Sequence, residues 1–212
     1  VDTAALHTAL ETALSQSLGV PCRIAHLHRA AGAYRSSFAL EEVAVTLDNG
    51  LTFPLIFKDV SRQALSDEGQ RAKPAFLYDP QREIATYRHI LATYLPEAAR
   101  CYGAMVDEAQ DRYWLFLEKV SGVPLSEVGL PTWQRVAGWL VRMHTHLAQP
   151  THQSNLADAS YLLRYDRDFY WLWPRRAQTF LQRLEPAPPA DDLERFDRLV
   201  AGYDQVIERL LA

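Results

Sequence analysis

Little in this sequence points to metal or disulfide chemistry. It holds only two cysteines, Cys22 and Cys101, far apart and with no Cys or His at ligand spacing, so neither a zinc site nor a disulfide scaffold is indicated. Both thiols are expected to be reduced, in a cytoplasmic protein. No apolar run approaches the length of a membrane span, the mean hydropathy is −0.20, and the chain opens without a charged-then-apolar leader. Basic residues are not in excess: 22 Lys and Arg stand against 26 Asp and Glu, a net charge of −4. That leaves no basic field for a phosphate backbone and argues against nucleic acid as a partner. Repeats of solenoid length and low-complexity tracts are missing as well.

What is present suits a folded globular chain. The 212 residues are 48% hydrophobic, 11% aromatic and 23% charged, enough for one good domain or two small ones. Strand-like runs concentrate in residues 20–119, whereas the sequence after about 125 is helical and broken by proline-rich joints. The expected class is therefore α+β, with an all-helical part following the mixed one.

Leu6, Leu10, Ala13 and Leu14 define a first helix, with Thr3 as its cap and Gly19 as its stop. Three strands are expected over 22–28, 36–47 and 51–58. The last two are joined by Asp48-Asn49-Gly50, and Pro54 marks an edge or a bulge. Asp79-Pro80 starts a helix whose apolar side is Ile84, Tyr87, Leu91, Tyr94 and Leu95, ending at Pro96. Strands over 100–106 and 113–120 follow. Beyond Pro131, a helix over 132–147 buries Trp133, Val136, Ala137, Leu140, Met143 and Leu147 as a central core element. His144 lies within this stripe and is read as a hydrogen-bonded core histidine, with His146 facing away. An aromatic segment over 161–173 stops against Pro174 and a short helix follows it. A last helix begins at a capping-box-like Asp191 and Glu194 and runs with Leu193, Phe196, Val200, Tyr203, Ile207 and Leu210 on one side.

Three places carry chemistry. Lys58 closes the apolar strand Phe53-Pro54-Leu55-Ile56-Phe57-Lys58, on the face of Ile56. Farther on, Glu83 occupies the first turns of the helix after Pro80. A strand lysine followed by a helix glutamate at this separation is the kinase arrangement, in which the ion pair holds an ammonium against nucleotide phosphates. Between the first two strands, Gly32 with Ser36 and Ser37 allows backbone amides and hydroxyls to approach a phosphate, although the repeated glycines of a nucleotide loop and a Walker lysine are both missing. The third place is Trp114-Leu115-Phe116-Leu117-Glu118-Lys119-Val120-Ser121-Gly122, an apolar strand that breaks into small residues as a kinase hinge does.

From about residue 20 to 150 the chain resembles the aminoglycoside phosphotransferase family, small-molecule kinases with a protein-kinase-like fold, in the words FPLIFKD, REIATYRHIL and YWLFLEKVSG and in their order. The resemblance implies an N-terminal nucleotide-binding lobe over 1–119, a five-stranded antiparallel sheet plus helix. A hinge over 120–124 and a helical, incomplete C-terminal lobe over 125–212 would follow. It further implies ATP as cofactor with Lys58 as the phosphate lysine and Glu83 as its partner. Ser36 and Ser37 would lie at the phosphate loop. Ile56 would line the adenine pocket with Leu117 behind it, and the Glu118 carbonyl and Val120 amide would read the adenine edge. The partner would be a small molecule bearing a hydroxyl.

One departure matters. The family supplies its catalytic carboxylate and Mg2+ ligands from a His-Gly-Asp/Glu-type loop, and His144, His146 and His152 are not followed two residues later by Asp or Glu. Asp168-Phe169-Tyr170 resembles a metal-binding triplet only superficially, because its aromatic neighbours make it a helix. No catalytic and no metal-binding residue is therefore assigned. The expectation is the N-terminal part of a phosphotransferase, inactive alone, with apolar C-terminal helices through which it dimerises. Two alternatives stand beside it: a non-catalytic, pseudokinase-like nucleotide-binding module, and an interaction protein in which Lys58 and Glu83 form a surface pair worth ~0.5 kcal/mol.

Overall fold

The computed structural model describes residues 1–32 and 37–211. They form an α+β structure with one five-stranded antiparallel sheet and several helices. The chain divides into two compact units, Val1–Leu162 and Leu163–Ala212. No helix among the described residues is long and apolar enough to cross a membrane.

The first unit opens with α1 (Thr3–Leu18). Asp2, rather than the expected Thr3, caps it, its carboxylate accepting the Ala4 and Ala5 N–H groups at 3.4 and 3.0 Å. Gly19 ends it in the left-handed region, at φ 71°. Five strands follow: β1 (Ile24–Ala31), β2 (Leu40–Leu47), β3 (Thr52–Asp59), β4 (Cys101–Asp107) and β5 (Arg112–Glu118), in spatial order β1-β2-β3-β5-β4. At the β2–β3 turn, Gly50 (φ 83°) donates to the Leu47 carbonyl, and the Asn49 side chain accepts the Leu51 N–H.

Pro54 was expected on an edge or at a bulge, yet β3 is an inner strand and pairs with β2 without a register shift there. The Pro54 carbonyl accepts the Lys119 N–H at 3.3 Å. In an antiparallel ladder the main-chain N and O of one residue face the same neighbour. The proline nitrogen therefore faces the point where β5, ending at Glu118, has run out and no donor is needed.

Alternation along the strands separates two cores. On one face Leu55, Phe57, Trp114 and Phe116 pack with Leu6, Leu10 and Leu14 of α1, which are fully buried, each side chain contributing about 2 kcal/mol. α1 reaches the sheet closely because β4 carries Gly103, where a Cβ would stand 2.6 Å from that of Ala13. On the other face Phe38, Val60, Leu65, Ile84, Leu115 and Leu117 form the second core, with Ile56 half-buried beside them. This second face positions the site.

Between β3 and β4 lie a short helix α2 (Asp67–Ala72), not expected from the sequence, and then α3 (Pro80–Ala85). α3 passes through a π-helical turn (Thr86–Leu91) into α4 (Ala92–Tyr94). Asp79 caps α3 by accepting the Gln81 N–H at 2.9 Å. The π turn, whose bonds span five residues, rotates Ile90 onto the buried side, a position outside the uniform helical stripe.

α5 (Leu130–Leu147) departs most from expectation: none of its residues is fully buried. Its half-buried side is Thr132, Val136, Trp139, Met143, His146 and Leu147, while Trp133, Leu140 and His144 are exposed. The unforeseen helix α6 (Pro150–Ala157) supplies the reason: the His152 ring sits 4.7 Å from His146 and 4.5 Å from Tyr94, turning His146 inward and His144 out.

In the second unit, α7 (Arg167–Leu181) runs straight through Pro174 instead of stopping there. A proline inside a helix costs about 3 kcal/mol. Burial of Pro174 offsets part of this, as do the Trp171 Nε1 donation to Asp204 at 2.7 Å and the Arg167–Asp204 ion pair at 2.6 Å. The expected capping box is not formed: Pro189 precedes α8 (Ala190–Ala201), and Glu194 pairs forward with Arg198 at 2.6 Å. Gly202 separates α8 from α9 (Tyr203–Leu211), in which Ile207 is buried and Leu210 exposed.

Candidate functional site

The site grows from the alternation of β3. With Leu55 and Phe57 committed to the α1 face, Ile56 and Lys58 must emerge on the other, where Ile56 lies opposite Leu117 and Lys58 opposite Leu115 of β5. α3 is laid over this face by Ile84, 3% exposed, and by the Arg82 guanidinium, which donates to the carbonyls of Tyr161 (2.9 Å) and Leu77 (3.0 Å). Tyr78 adds a hydroxyl bond to the Val60 carbonyl at 3.2 Å. Anchored this way, the first turn of α3 points Glu83 back at the sheet.

Lys58 Nζ donates to both carboxylate oxygens of Glu83, each at 2.7 Å. The lysine side chain is 14% exposed and the glutamate 34%, so the pair is neither a surface contact nor fully desolvated. One turn along, burial and the Glu83 charge push the Tyr87 phenol above its ordinary pKa.

Beneath the ammonium lies the ring of Phe38, 5% exposed, its centroid 5.4 Å from Lys58 Nζ. A second lysine shares the ring: Lys73 Nζ, just after α2, is 5.1 Å from the same centroid. Burial first, and then the nearby Lys58 charge, pull the Lys73 pKa below that of an ordinary lysine. Lys73 and Phe38 were not singled out from the sequence. A six-residue helix has too few turns to announce itself by periodicity, and Phe38 belongs to an isolated bridge with Leu65.

Comparison of the chain with protein-family models, with curated proteins and with solved structures returns no match. The site therefore stands on its own geometry.

Of the residues named from sequence, Lys58, Glu83, Ile56 and Leu117 come together on one face. Ser37 is exposed, and its carbonyl accepts the Ser66 N–H at 3.0 Å at the start of α2. Ser36 lies outside the described residues. The Gly32 amide is spent on the Leu40 carbonyl at 2.7 Å, so it closes the β1–β2 ladder rather than facing a ligand. Glu118 donates its N–H to the Arg100 carbonyl at 2.7 Å, and its carboxylate accepts the Arg100 N–H at 3.0 Å. Val120 is 64% exposed just past the strand, and among the described residues its N–H meets no acceptor.

Among the described residues no three His, Cys, Asp or Glu side chains gather, so the chain forms no all-protein cage for Mg2+ there. A cavity of about 640 Å3 lies elsewhere, between α1 and β4, lined by Thr8, Thr12, Gln16, Arg88, Met105 and Arg112 among others.

Proposed function

We propose that this chain carries the nucleotide-binding part of an ATP-dependent small-molecule phosphotransferase of the protein-kinase-like kind, resembling the aminoglycoside and choline-type kinases. The observation that carries the reading is the bidentate Lys58–Glu83 pair, joining the inner strand β3 to α3, the second of the α-helices between β3 and β4. In kinases the same strand-to-helix ion pair holds the lysine that contacts nucleotide phosphates. Glu83 neutralises and orients the ammonium, and the 14% exposure of Lys58 keeps it reachable. The hydrophobic pair Ile56 and Leu117 continues the same face toward the exposed Val120 N–H, an arrangement suited to an adenine ring with a hydrogen-bonding edge. The proposed reaction passes the γ-phosphoryl of ATP to a hydroxyl of the small-molecule acceptor. The contribution of this chain is to bind and orient the donor.

Thermal unfolding with and without ATP tests the reading. A ligand at a hundred times its Kd stabilises the folded state by about 2.7 kcal/mol. The expected result is an ATP-dependent rise in Tm that Lys58→Ala abolishes. An unchanged Tm at millimolar ATP overturns the nucleotide reading. ATP binding with no phosphoryl transfer by any longer form of the protein leaves a non-catalytic nucleotide-binding module instead.

A further inference from the structure

Two ammonium groups share one buried ring, and among the described residues only one of them, that of Lys58, is within ion-pair distance of a carboxylate. Glu83 gives both of its oxygens to Lys58. Lys73 has no carboxylate within ion-pair distance among the described residues, and its nitrogen sits 5.1 Å from the Phe38 centroid, against 5.4 Å for Lys58. The distance between the two nitrogens cannot exceed those two lengths laid end to end. Lys58, Lys73 and Glu83 together thus bring two ammonium groups and one carboxylate to the Phe38 ring.

Such an arrangement works against folding unless something else uses it. Two like charges repel, and a half-buried lysine loses hydration that the nearby Glu83 charge, bonded to Lys58, offsets only in part. The Phe38 quadrupole returns only part of this. The main chain at Lys73 is fixed: its backbone N–H donates to the Gly69 carbonyl at 2.9 Å, ending a helix whose start is capped by the Ser66 hydroxyl accepting the Gly69 N–H at 3.0 Å. The depressed pKa of Lys73 records the same cost. A ligand bringing two or more negative charges to this site would relieve the repulsion and give Lys73 the counter-charge that Glu83 gives Lys58.

We infer that Lys73 and Lys58 form a two-ammonium receptor for the polyphosphate chain of a nucleotide, with Lys73 making a contact separate from the one Glu83 orients. The inference rests on the nucleotide reading of the site and adds a second phosphate-binding residue to it. Lys58 is fixed by Glu83 and serves as the constant contact. Lys73, without an ion-pair partner among the described residues, supplies the charge that distinguishes a polyphosphate from a nucleoside.

Calorimetric titration with ATP, adenosine and inorganic triphosphate, at low ionic strength, tests it on the wild-type chain and on Lys73→Gln and Lys73→Arg. Loss of one charge-assisted contact weakens binding by about ten-fold. Lys73→Gln is expected to lose that factor for ATP and for triphosphate, to leave adenosine unchanged, and to be rescued by Lys73→Arg. Wild-type affinity of Lys73→Gln for both phosphate ligands overturns the inference while the nucleotide reading stands, provided Lys58→Ala still loses ATP. Lys73-dependent binding of triphosphate with no added affinity for ATP supports the receptor and removes the nucleotide. Binding of neither ligand by the wild-type chain overturns both.

Discussion

Replacing Glu83 by Gln is the sharpest perturbation the structure offers. Gln keeps the shape and one carbonyl acceptor but removes the charge and one of the two 2.7 Å bonds to Lys58. Exposed ion pairs are worth about 0–1 kcal/mol, and removing one partner of a buried pair costs about 3–5 kcal/mol. With side chains 14% and 34% exposed, this pair falls between those limits; solvent screens the Glu83 end and the retained acceptor softens the loss. Glu83→Gln should then cost about 2 kcal/mol. Lys58→Met costs about 1 kcal/mol, because the orphaned carboxylate is the more hydrated partner. The double variant should recover about 1 kcal/mol of coupling in a double-mutant cycle read from urea unfolding. Part of that coupling should survive 1 M salt, where the Debye length shrinks to about 3 Å but partly buried pairs are screened less. A coupling energy below about 0.3 kcal/mol would refute the pairing and reduce Lys58 and Glu83 to independent surface groups.

Two further outcomes follow from the frame around the site. Gly103→Ala forces a methyl to 2.6 Å from the Ala13 Cβ at a backbone φ of 154°, so a loss of about 2–4 kcal/mol in urea unfolding is expected, and Gly103→Ala combined with Ala13→Gly should regain part of it. Burial pushes the Tyr78 phenol from 10.0 up to about 12. Because the folded-state pKa is the higher one, the stabilisation is complete below pH 10 and is lost as pH rises toward 12. Tyr78→Phe should flatten that alkaline decline, and an identical decline in the variant would show that other groups cause it.

Much of the site was legible in the sequence because it depends on short-range rules. Period-two alternation in Phe53-Pro54-Leu55-Ile56-Phe57-Lys58 places Ile56 with Lys58. Asp79-Pro80 starts a helix through cap chemistry that needs no tertiary partner. Glu83 then falls in its first turn, and the one remaining step was for the helix to lie across the right face. Lys73 escaped notice because its meaning lies in what surrounds it: a ring from before β2 and an ammonium from the end of β3. Pro54 was misplaced for a related reason, since whether a strand proline lacks a bond depends on where the neighbouring strand ends.

The helical part shows the limit from the other side. The apolar stripe predicted for α5 was off by a rotation because the choice among several half-apolar faces is made by neighbours, and α6 made it by packing His152 against His146. Pro174 was taken as a stop on local grounds, whereas contacts of Trp171 and Arg167 with Asp204, far along the chain, carry α7 through it. The sequence by itself determined the five strands, the helices α1 and α3, the caps at Gly19 and Asp79, and which strand face Lys58 occupies, because each is settled within a few residues of backbone. Only the tertiary structure decided that Glu83 reaches Lys58, that Lys73 stands beside them without a carboxylate, and which sides of α5 and α7 are covered. Those outcomes depend on burial and charge supplied by segments distant in sequence, which no local periodicity encodes.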